Sequence, residues 1–171
     1  MHAELLVLRL IHILSGIFWI GSGLYTFFFL GPALASTPAV MGQVMAALQK
    51  RRVFTAQQIA AGLVLLSGLR LLMIDSAGFS ASYFATGPGR TFAIAAVLAI
   101  LAGIFNFGVA RPTMERVVAV GAALAASADA SEKARLTRQL DRLRKRGATA
   151  GMLAVTSGIL AASGMAVARY M

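Results

Sequence analysis

The residue whose type and position point most directly to chemistry is His12, which lies inside a long apolar stretch. Within residues 5–30 only Arg9 and His12 interrupt the run of apolar and small side chains. An ionisable side chain inside a membrane-spanning stretch is energetically unfavourable and by default marks a functional site. Neutral imidazole is also a common ligand of haem iron and of copper. His12 is therefore the first candidate ligand for a cofactor or a metal ion.

Arginines fall near the same predicted membrane face as His12. Arg70 lies close to the end of the second apolar stretch, and Arg90 comes just before the third. A haem b group needs an axial ligand inside the protein and cations for its two propionates, and His12 with these arginines would supply both. The same set would suit an anionic lipid or quinone headgroup. Trp19, two helical turns after His12, would pack below the site. Near neighbours in the sequence are also expected to form ion pairs, namely Arg70 with Asp75 and Arg9 with Glu4.

A second ligand for the same metal is not evident, because the other histidine, His2, precedes the apolar stretch. Met73 and Met165 are alternatives, since both should lie near the outer ends of their helices and a thioether binds haem iron or Cu(I). Filling gaps in the packing is the other common role of methionine. The chain has no cysteine, which excludes disulfides, iron–sulfur clusters and thiolate metal sites.

The elements that must position these residues are four apolar stretches of about 20 residues or more. They cover residues 5–30, 54–74, 91–110 and 147–168. The whole chain is 58% hydrophobic and 13% charged, whereas soluble domains carry roughly a quarter of charged residues. Each stretch is long enough to cross a hydrocarbon core of about 30 Å as a helix. The sequence predicts an all-α polytopic membrane protein, with four transmembrane helices in a bundle and a single domain over residues 1–171.

Basic residues predict the orientation of this bundle. Twelve of the 16 lysines and arginines lie between the first and second stretches or between the third and fourth. Because lysine and arginine are retained on the cytoplasmic side, both termini should lie outside, in a bacterial-type cytoplasmic (inner) membrane. The basic residues adjoin membrane crossings and carry no base-reading motif, so they indicate contact with membrane lipid and not with nucleic acid.

The connection between the third and fourth stretches is expected to form a cytoplasmic helical hairpin. Pro112 is suited to the first turn of a helix, and Asp129 followed by Glu132 resembles a capping pair. Leu136, Leu140 and Leu143 recur at helical spacing, and this stripe could pack on the bundle, a membrane surface or a partner. A helix that simply extends the fourth span is the favoured interpretation.

Small and polar residues of the first stretch share one helical face and indicate helix–helix contact. They are His12, Ser15, Gly16, Trp19, Ser22, Gly23 and Thr26. Small residues let membrane helices approach closely, within a chain or between subunits. Partner subunits or a homo-oligomer are therefore possible partners.

The segment RLIHILSGIFWIGSGLYTFFFLGPAL resembles the first helix of the copper-resistance D family and of the HemJ-type protoporphyrinogen oxidases. The likeness continues through KRRVFTAQQIAAGLVLLSGLRLL, the Gly89–Arg90 pair and the closing GMAVARYM. The resemblance implies that His12 is associated with haem or a metal. The HemJ-type pattern carries a lysine where this chain has Arg90, and arginine does not readily give up a proton as a catalytic lysine can.

Two functions follow from the sequence. One is binding of haem b or copper near the outer membrane face, for electron transfer or metal handling, with His12, Arg70, Arg90 and Trp19 at the site. The other is a cofactor-free accessory subunit of a larger respiratory, photosynthetic or transport complex. No hydrolase or nucleotide-binding motif is present.

Overall fold

A computed structural model describes residues 2–171, and the regular elements in that range are all helices. They are α1 (His2–Tyr25), α2 (Gly31–Ser36), α3 (Pro38–Lys50), α4 (Val53–Asp75), α5 (Ala81–Phe84), α6 (Gly87–Gly103), α7 (Arg111–Ala126) and α8 (Ala130–Val167). Wider π-helical segments, Thr26–Leu30 and Ile104–Ala110, join α1 to α2 and α6 to α7, and a 3₁₀ turn, Ala168–Tyr170, follows α8. The prediction of an all-α protein is confirmed.

Within residues 2–171, four helical runs are long and apolar enough to cross a membrane. They are His2–Ser36, Val53–Asp75, Gly87–Ala126 and Ala130–Tyr170. This confirms the prediction of four candidate spans. Three of the runs continue well beyond the apolar stretches, because the connections that flank those stretches are themselves helical. The 41 residues of the last run correspond to about 60 Å at about 1.5 Å per residue, twice the thickness of a hydrocarbon core.

The first and third runs contain a proline that the helix accommodates without breaking. Pro32 and Pro112 each lie in the first turn after a π-helical segment. Here the backbone hydrogen bonds join residues five apart, as in a π-helix. The Gly31 N–H donates to the Thr26 carbonyl, and the Arg111 N–H donates to the Asn106 carbonyl. Proline lacks an N–H, and its ring clashes with the carbonyl four residues earlier, which the wider turn relieves. The expectation that Pro112 opens a new helix is wrong, because the helical run continues through it from Gly87 to Ala126.

The helices divide into two compact units. One unit is the chain up to Leu101 together with Val155–Met171, and the other is Ala102–Ala154. In the first unit α1 packs along α4, with Trp19, Ala61 and Val64 among the buried side chains. In the same unit Gly164 packs against Ala95, where a β-carbon on the glycine would lie 3.2 Å from that of the alanine. The single domain over residues 1–171 stays a prediction.

The second unit contains the predicted helical hairpin, and its helices are α7 and the first part of α8. The turn between them is Ser127–Asp129, and α8 then runs without a break into the fourth span, as the favoured interpretation holds. A β-carbon on Gly147 would lie 3.5 Å from Thr113 Cγ2 of α7. Leu136 and Leu140 are buried and Leu143 is half-buried. Two leucines of the stripe are therefore used for packing.

Asp129 caps the start of α8. Its Oδ2 accepts hydrogen bonds from the Glu132 N–H at 2.7 Å and from the Ser131 hydroxyl at 2.5 Å. These two hydrogen bonds lower the pKa of the Asp129 carboxyl below its usual range, and the bond from the Ser131 hydroxyl has the larger effect. The Glu132 carboxylate binds Arg135. The predicted capping aspartate is thus confirmed, whereas the glutamate is used in an ion pair one turn along the helix.

Candidate functional site

Three polar contacts at successive depths join α1 to α4. They are Glu4 with Arg70, His12 with Val64 and Ser67, and Ser22 with Gln57. The residue numbers rise along α1 and fall along α4, so the two helices run antiparallel. Each contact gives a polar group inside or near a candidate span a partner on the neighbouring helix, which stabilises helix association where hydrocarbon offers no hydrogen bonds.

The middle contact fixes the imidazole of His12. Nδ1 lies 3.0 Å from the Val64 carbonyl oxygen and 3.2 Å from the Ser67 hydroxyl oxygen. A carbonyl oxygen can only accept, so Nδ1 must carry the proton and donate it. The Ser67 hydroxyl donates to backbone carbonyls of its own helix, Leu63 and Val64. The neutral imidazole therefore keeps its lone pair on Nε2.

Nε2 of His12 has no hydrogen-bond partner among residues 2–171. In that range no buried side-chain nitrogen or oxygen lacks a partner. Since Nε2 has none, it is not completely buried. His12 thus has one nitrogen anchored on α4 and a second nitrogen that has no hydrogen-bond partner in the described chain.

Gly68 makes room for the imidazole ring. A β-carbon added at this glycine would lie 2.7 Å from Cε1 and 3.2 Å from Nδ1 of His12. These distances are shorter than van der Waals contact, so any larger residue would displace the ring. Trp19, two turns along α1, is 6% exposed. The expectation that Trp19 packs below a site at His12 stays a prediction.

The arginines are arranged differently from the sequence-based expectation. Arg70 holds Oε1 of Glu4, with Nη2 at 2.6 Å and Nε at 3.0 Å. The predicted pairs of Arg70 with Asp75 and Arg9 with Glu4 are therefore wrong, because the antiparallel packing of α1 on α4 brings Glu4 to Arg70. Arg9 and Arg90 are exposed, and neither has a carboxylate partner within the described range.

No hydrogen bond among residues 2–171 joins His12 to either candidate methionine. Met73 is 42% exposed, and its sulfur lies 3.9 Å from Nη1 of Arg70. It follows Val64 by nine residues, which is about half a turn around α4 at about 3.6 residues per turn. Met73 therefore faces away from the carbonyl that binds His12. Met165 is half-buried beside Gly164, and no hydrogen bond in residues 2–171 joins its helix to His12.

Two surface depressions lie along the α1–α4 pair. A cleft of about 190 Å³ is lined by Glu4, Leu5, Arg70 and Ile74. An apolar groove of about 420 Å³ is lined by Leu14, Ser15, Phe18, Ala56, Ile59, Ala60 and Leu63. The cleft is smaller than the roughly 300–1,000 Å³ of typical ligand pockets, and the groove carries a single hydroxyl. Among residues 2–171 no group of three or more His, Cys, Asp or Glu side chains could hold a metal ion.

Sequence reasoning did not identify Ser67 and Gln57, which meet His12 and Ser22 across the helix pair. A usable signal existed, since both are polar residues in an otherwise apolar stretch. In an antiparallel helix pair, the residue numbers of two contacting residues add up to nearly the same total at every contact. Once Gly68 or Ser67 is placed opposite His12, Gln57 falls opposite Ser22.

No protein family, curated protein or solved structure matches this chain. The resemblance to the copper-resistance D family and the HemJ-type oxidases stays a prediction from the residues of the first span.

Proposed function

We propose that this chain is a membrane haem protein in which Nε2 of His12 is an axial ligand of haem b and whose function is electron transfer. The observation that carries the proposal is the state of the His12 ring. Its Nδ1 is bound to the Val64 carbonyl while Nε2 has no partner in the described chain. Bound haem supplies the one-electron chemistry, and the protein supplies the fixed imidazole.

The fixed Nδ1 is what a metal-ligating histidine requires. Such histidines commonly donate their other ring N–H to a carbonyl or carboxylate, which selects the tautomer and orients the ring. An imidazole lone pair without a partner in hydrocarbon is unfavourable by about 1–3 kcal/mol, judged from other buried polar groups. Coordination of a metal by Nε2 would remove that penalty.

Haem fits the surroundings of His12 better than a bare copper ion does. A porphyrin brings four nitrogen ligands of its own, so one protein imidazole is sufficient to hold the iron. A copper ion must find its ligands on the protein, and soft or nitrogen ligands are preferred. Met73 faces away from the contact between His12 and α4, and no cluster of metal-binding side chains accompanies His12 in residues 2–171.

Arg9 and Arg90 are better suited to haem propionates than Arg70 is. Arg70 already holds the Glu4 carboxylate. Arg9 precedes His12 by three residues, which is about 4.5 Å along the helix towards its amino end. Because Arg9 is exposed and has no carboxylate partner in the described range, it can bind a propionate without breaking an existing ion pair.

The charge distribution supports an orientation with both termini outside and both basic connections in the cytoplasm. An even number of spans places the termini on one side, and the hairpin turn at Ser127–Asp129 lies among nine basic residues. The positive-inside rule then favours the cytoplasmic membrane of a bacterial-type cell. His12 would lie in the outer half of the bilayer, about 12 Å along α1 from Glu4.

A cofactor-free accessory subunit is the second candidate, favoured by glycines that the chain itself does not use for close packing. A β-carbon at Gly21, Gly23 or Gly62 would meet nothing within 4 Å. Small residues on a helix surface allow another membrane helix to approach closely. In that function the His12 contact with α4 would serve packing alone.

The test is a reduced-minus-oxidised visible spectrum with metal analysis on protein extracted gently from its membrane. Wild-type protein should show a b-type spectrum and contain iron. The His12→Asn variant should lose the b-type spectrum but remain inserted in the membrane. The asparagine amide can still donate to the Val64 carbonyl but cannot ligate iron. His2→Ala, which removes the other histidine, is the matched control and should keep the spectrum.

Other results would reject haem binding. Copper without haem in the wild-type protein would assign the site to copper. A flat spectrum, no bound metal and stoichiometric companion chains would support the accessory subunit.

A further inference from the structure

We propose that the apolar groove between α1 and α4 binds one anionic phospholipid. The acyl chain lies in the groove, and the phosphate meets Arg51 and Arg52 at the amino end of α4. This inference does not depend on the proposed haem, because His12 is not among the residues that line the groove.

The groove has the apolar surface that an acyl chain requires. Its volume is about 420 Å³, and six of the seven residues that line it are apolar. Ala60 is 7% exposed, whereas Phe18 and Ile59 are 45% and 59% exposed, so a small buried residue lies between larger exposed ones. The lining therefore offers an acyl chain dispersion contacts and requires almost no hydrogen bonding.

Exposed cations lie one helical turn beyond the groove. Ala56, which lines the groove near the start of α4, donates its N–H to the carbonyl of Arg52 at 2.9 Å. Arg51 and Arg52 are exposed, and neither has a carboxylate partner within residues 2–171. Lys50, which precedes them, is also exposed. The groove thus leads along α4 to a cluster of positive charge.

The rest of the first compact unit offers this cluster no counter-charge. The carboxylate side chains of that unit are Glu4 and Asp75. Glu4 is paired with Arg70, and Asp75 is the last residue of α4, at the opposite end from Arg52. The anion that neutralises the two arginines must therefore come from outside the unit.

The distance between the groove and the cations fits a phospholipid. Arg52 precedes Ala56 by four residues, which is about 6 Å along the helix. The headgroup region on each side of a bilayer is roughly 5–8 Å thick. A phosphate beside Arg52 and methylene groups that begin beside Ala56 are thus separated as they are in a bilayer.

Charge favours an anionic lipid over other occupants of the groove. Arginine binds phosphate through charge-assisted hydrogen bonds, and basic residues at a membrane surface attract anionic lipids. A zwitterionic lipid would bring a cation of its own to the arginines. A second copy of the chain, inserted in the same direction, would bring another Arg51–Arg52 pair to the same depth and be repelled.

The backbone of Arg52 provides a sharp test. Its φ of 55° and ψ of 27° lie in the left-handed region, which is unfavourable for a residue with a β-carbon and accessible to glycine. Arg52→Gly should therefore remove a charge without weakening the turn between α3 and α4.

The first experiment titrates the delipidated full chain in detergent with phosphatidylglycerol or phosphatidylcholine and counts bound lipids by native mass spectrometry. We expect one phosphatidylglycerol per chain to bind about tenfold or more tightly than phosphatidylcholine, since two arginines face its phosphate. Equal affinity for the two lipids would overturn the proposal. A dimer that binds no lipid would also overturn it and would assign the groove to a second copy.

The second experiment removes the two cations. Arg51→Gln combined with Arg52→Gly should weaken phosphatidylglycerol binding about tenfold or more and should not lower the melting temperature of the lipid-free chain. Arg142→Gln combined with Arg144→Gln is the matched control, because it removes the same charge from exposed positions of the other basic connection. Equal losses in both double variants would show that net charge alone attracts the lipid and would contradict the site.

The third experiment fills the groove and keeps the cations. Leu63 lines the groove and is 42% exposed, whereas Leu69 lies on the same helix outside the lining and is 57% exposed. Leu63→Trp should weaken phosphatidylglycerol binding several-fold, and Leu69→Trp should leave it unchanged. Wild-type affinity in Leu63→Trp would place the acyl chain elsewhere and overturn its assignment to the groove.

Discussion

His12 uses its two ring nitrogens for different purposes. Nδ1 donates to the Val64 carbonyl and thereby fixes both the tautomer and the direction of the ring, and Nε2 has no hydrogen-bond partner in the described chain. The ring is also held by shape, because it lies against Gly68. A small change at this glycine should therefore act on the imidazole without removing any polar group.

Gly68→Ala should displace the His12 ring. Its new β-carbon would lie 2.7 Å from Cε1, and a ring held by hydrogen bonds can move aside only by lengthening them. We expect a loss of about 1–3 kcal/mol in stability, as for other overpacked sites, and reduced haem retention. Thermal unfolding in detergent and the visible spectrum measure these effects.

Gly62→Ala is the control for this substitution. Gly62 lies on the same helix, and a β-carbon there would meet nothing within 4 Å. Alanine also has a higher helix propensity than glycine, so this variant should be as stable as the wild type or more so. Similar losses in both variants would show that the His12 ring does not depend on the space at Gly68.

Among the elements, the helical hairpin of α7 and α8 shows how the basic connection is ordered. Its buried side chains include Leu136, Leu140 and Val117. The charged residues of the hairpin therefore rest on a small apolar core. The cap at Asp129 fixes where α8 begins.

Leu140→Ala should destabilise the hairpin by about 2–5 kcal/mol, the usual effect of removing a buried leucine side chain. Leu140 is 6% exposed, whereas Leu143 is half-buried. Limited proteolysis in the Ser127–Asp129 connection should accelerate in Leu140→Ala and much less in Leu143→Ala. Equal cleavage rates in the two variants would contradict the packing of Leu140.

Asp129→Ala should weaken the start of α8 at neutral pH. The ionised carboxylate is the form that accepts the two capping bonds, and these bonds lower its pKa. Its stabilising effect is therefore complete above the ordinary carboxyl pKa of about 3.9 and is lost as the pH falls through the lowered pKa.

The difference in melting temperature between wild type and Asp129→Ala should thus be present at pH 7 and disappear in strong acid. Asp141→Ala, an exposed carboxylate in the middle of the same helix, is the control and should change the melting temperature little at pH 7. A difference that persists at the lowest pH would refute the role of the ionised cap.

At the scale of the whole molecule, the four helical runs and the uneven distribution of basic residues determine how the chain can sit in a bilayer. Lysine and arginine oppose translocation, so the hairpin turn and the short connection around Ser82 should lie on opposite sides. The absence of cysteine makes this directly measurable, because any introduced thiol is unique.

Ser82→Cys in intact cells should react with a membrane-impermeant thiol reagent from outside. Ala128→Cys should react only after the membrane is opened, because it lies in the hairpin turn of the basic connection. Both positions are exposed in the structure, so a difference in labelling reports the side of the membrane. The reverse pattern would invert the orientation and place His12 near the cytoplasmic face.

The sequence alone determined the elements of this protein, because hydropathy, helix caps and proline positions act over a few residues. Four candidate spans and the cap at Asp129 could be predicted in this way, whereas the helix start expected at Pro112 could not, because a wider turn lets the helix continue through the proline. His12 could also be singled out, since a titratable residue inside an apolar stretch is visible without any partner. These are local properties of the chain.

Only the tertiary structure decided which residues meet. The register of α1 on α4 pairs Arg70 with Glu4 and places Ser67 beside His12. No local spacing specifies that register, because the pairs are separated by 66 and 55 residues. It arises from packing small residues such as Gly68 against bulky ones on the opposite helix, and that packing leaves Nε2 free.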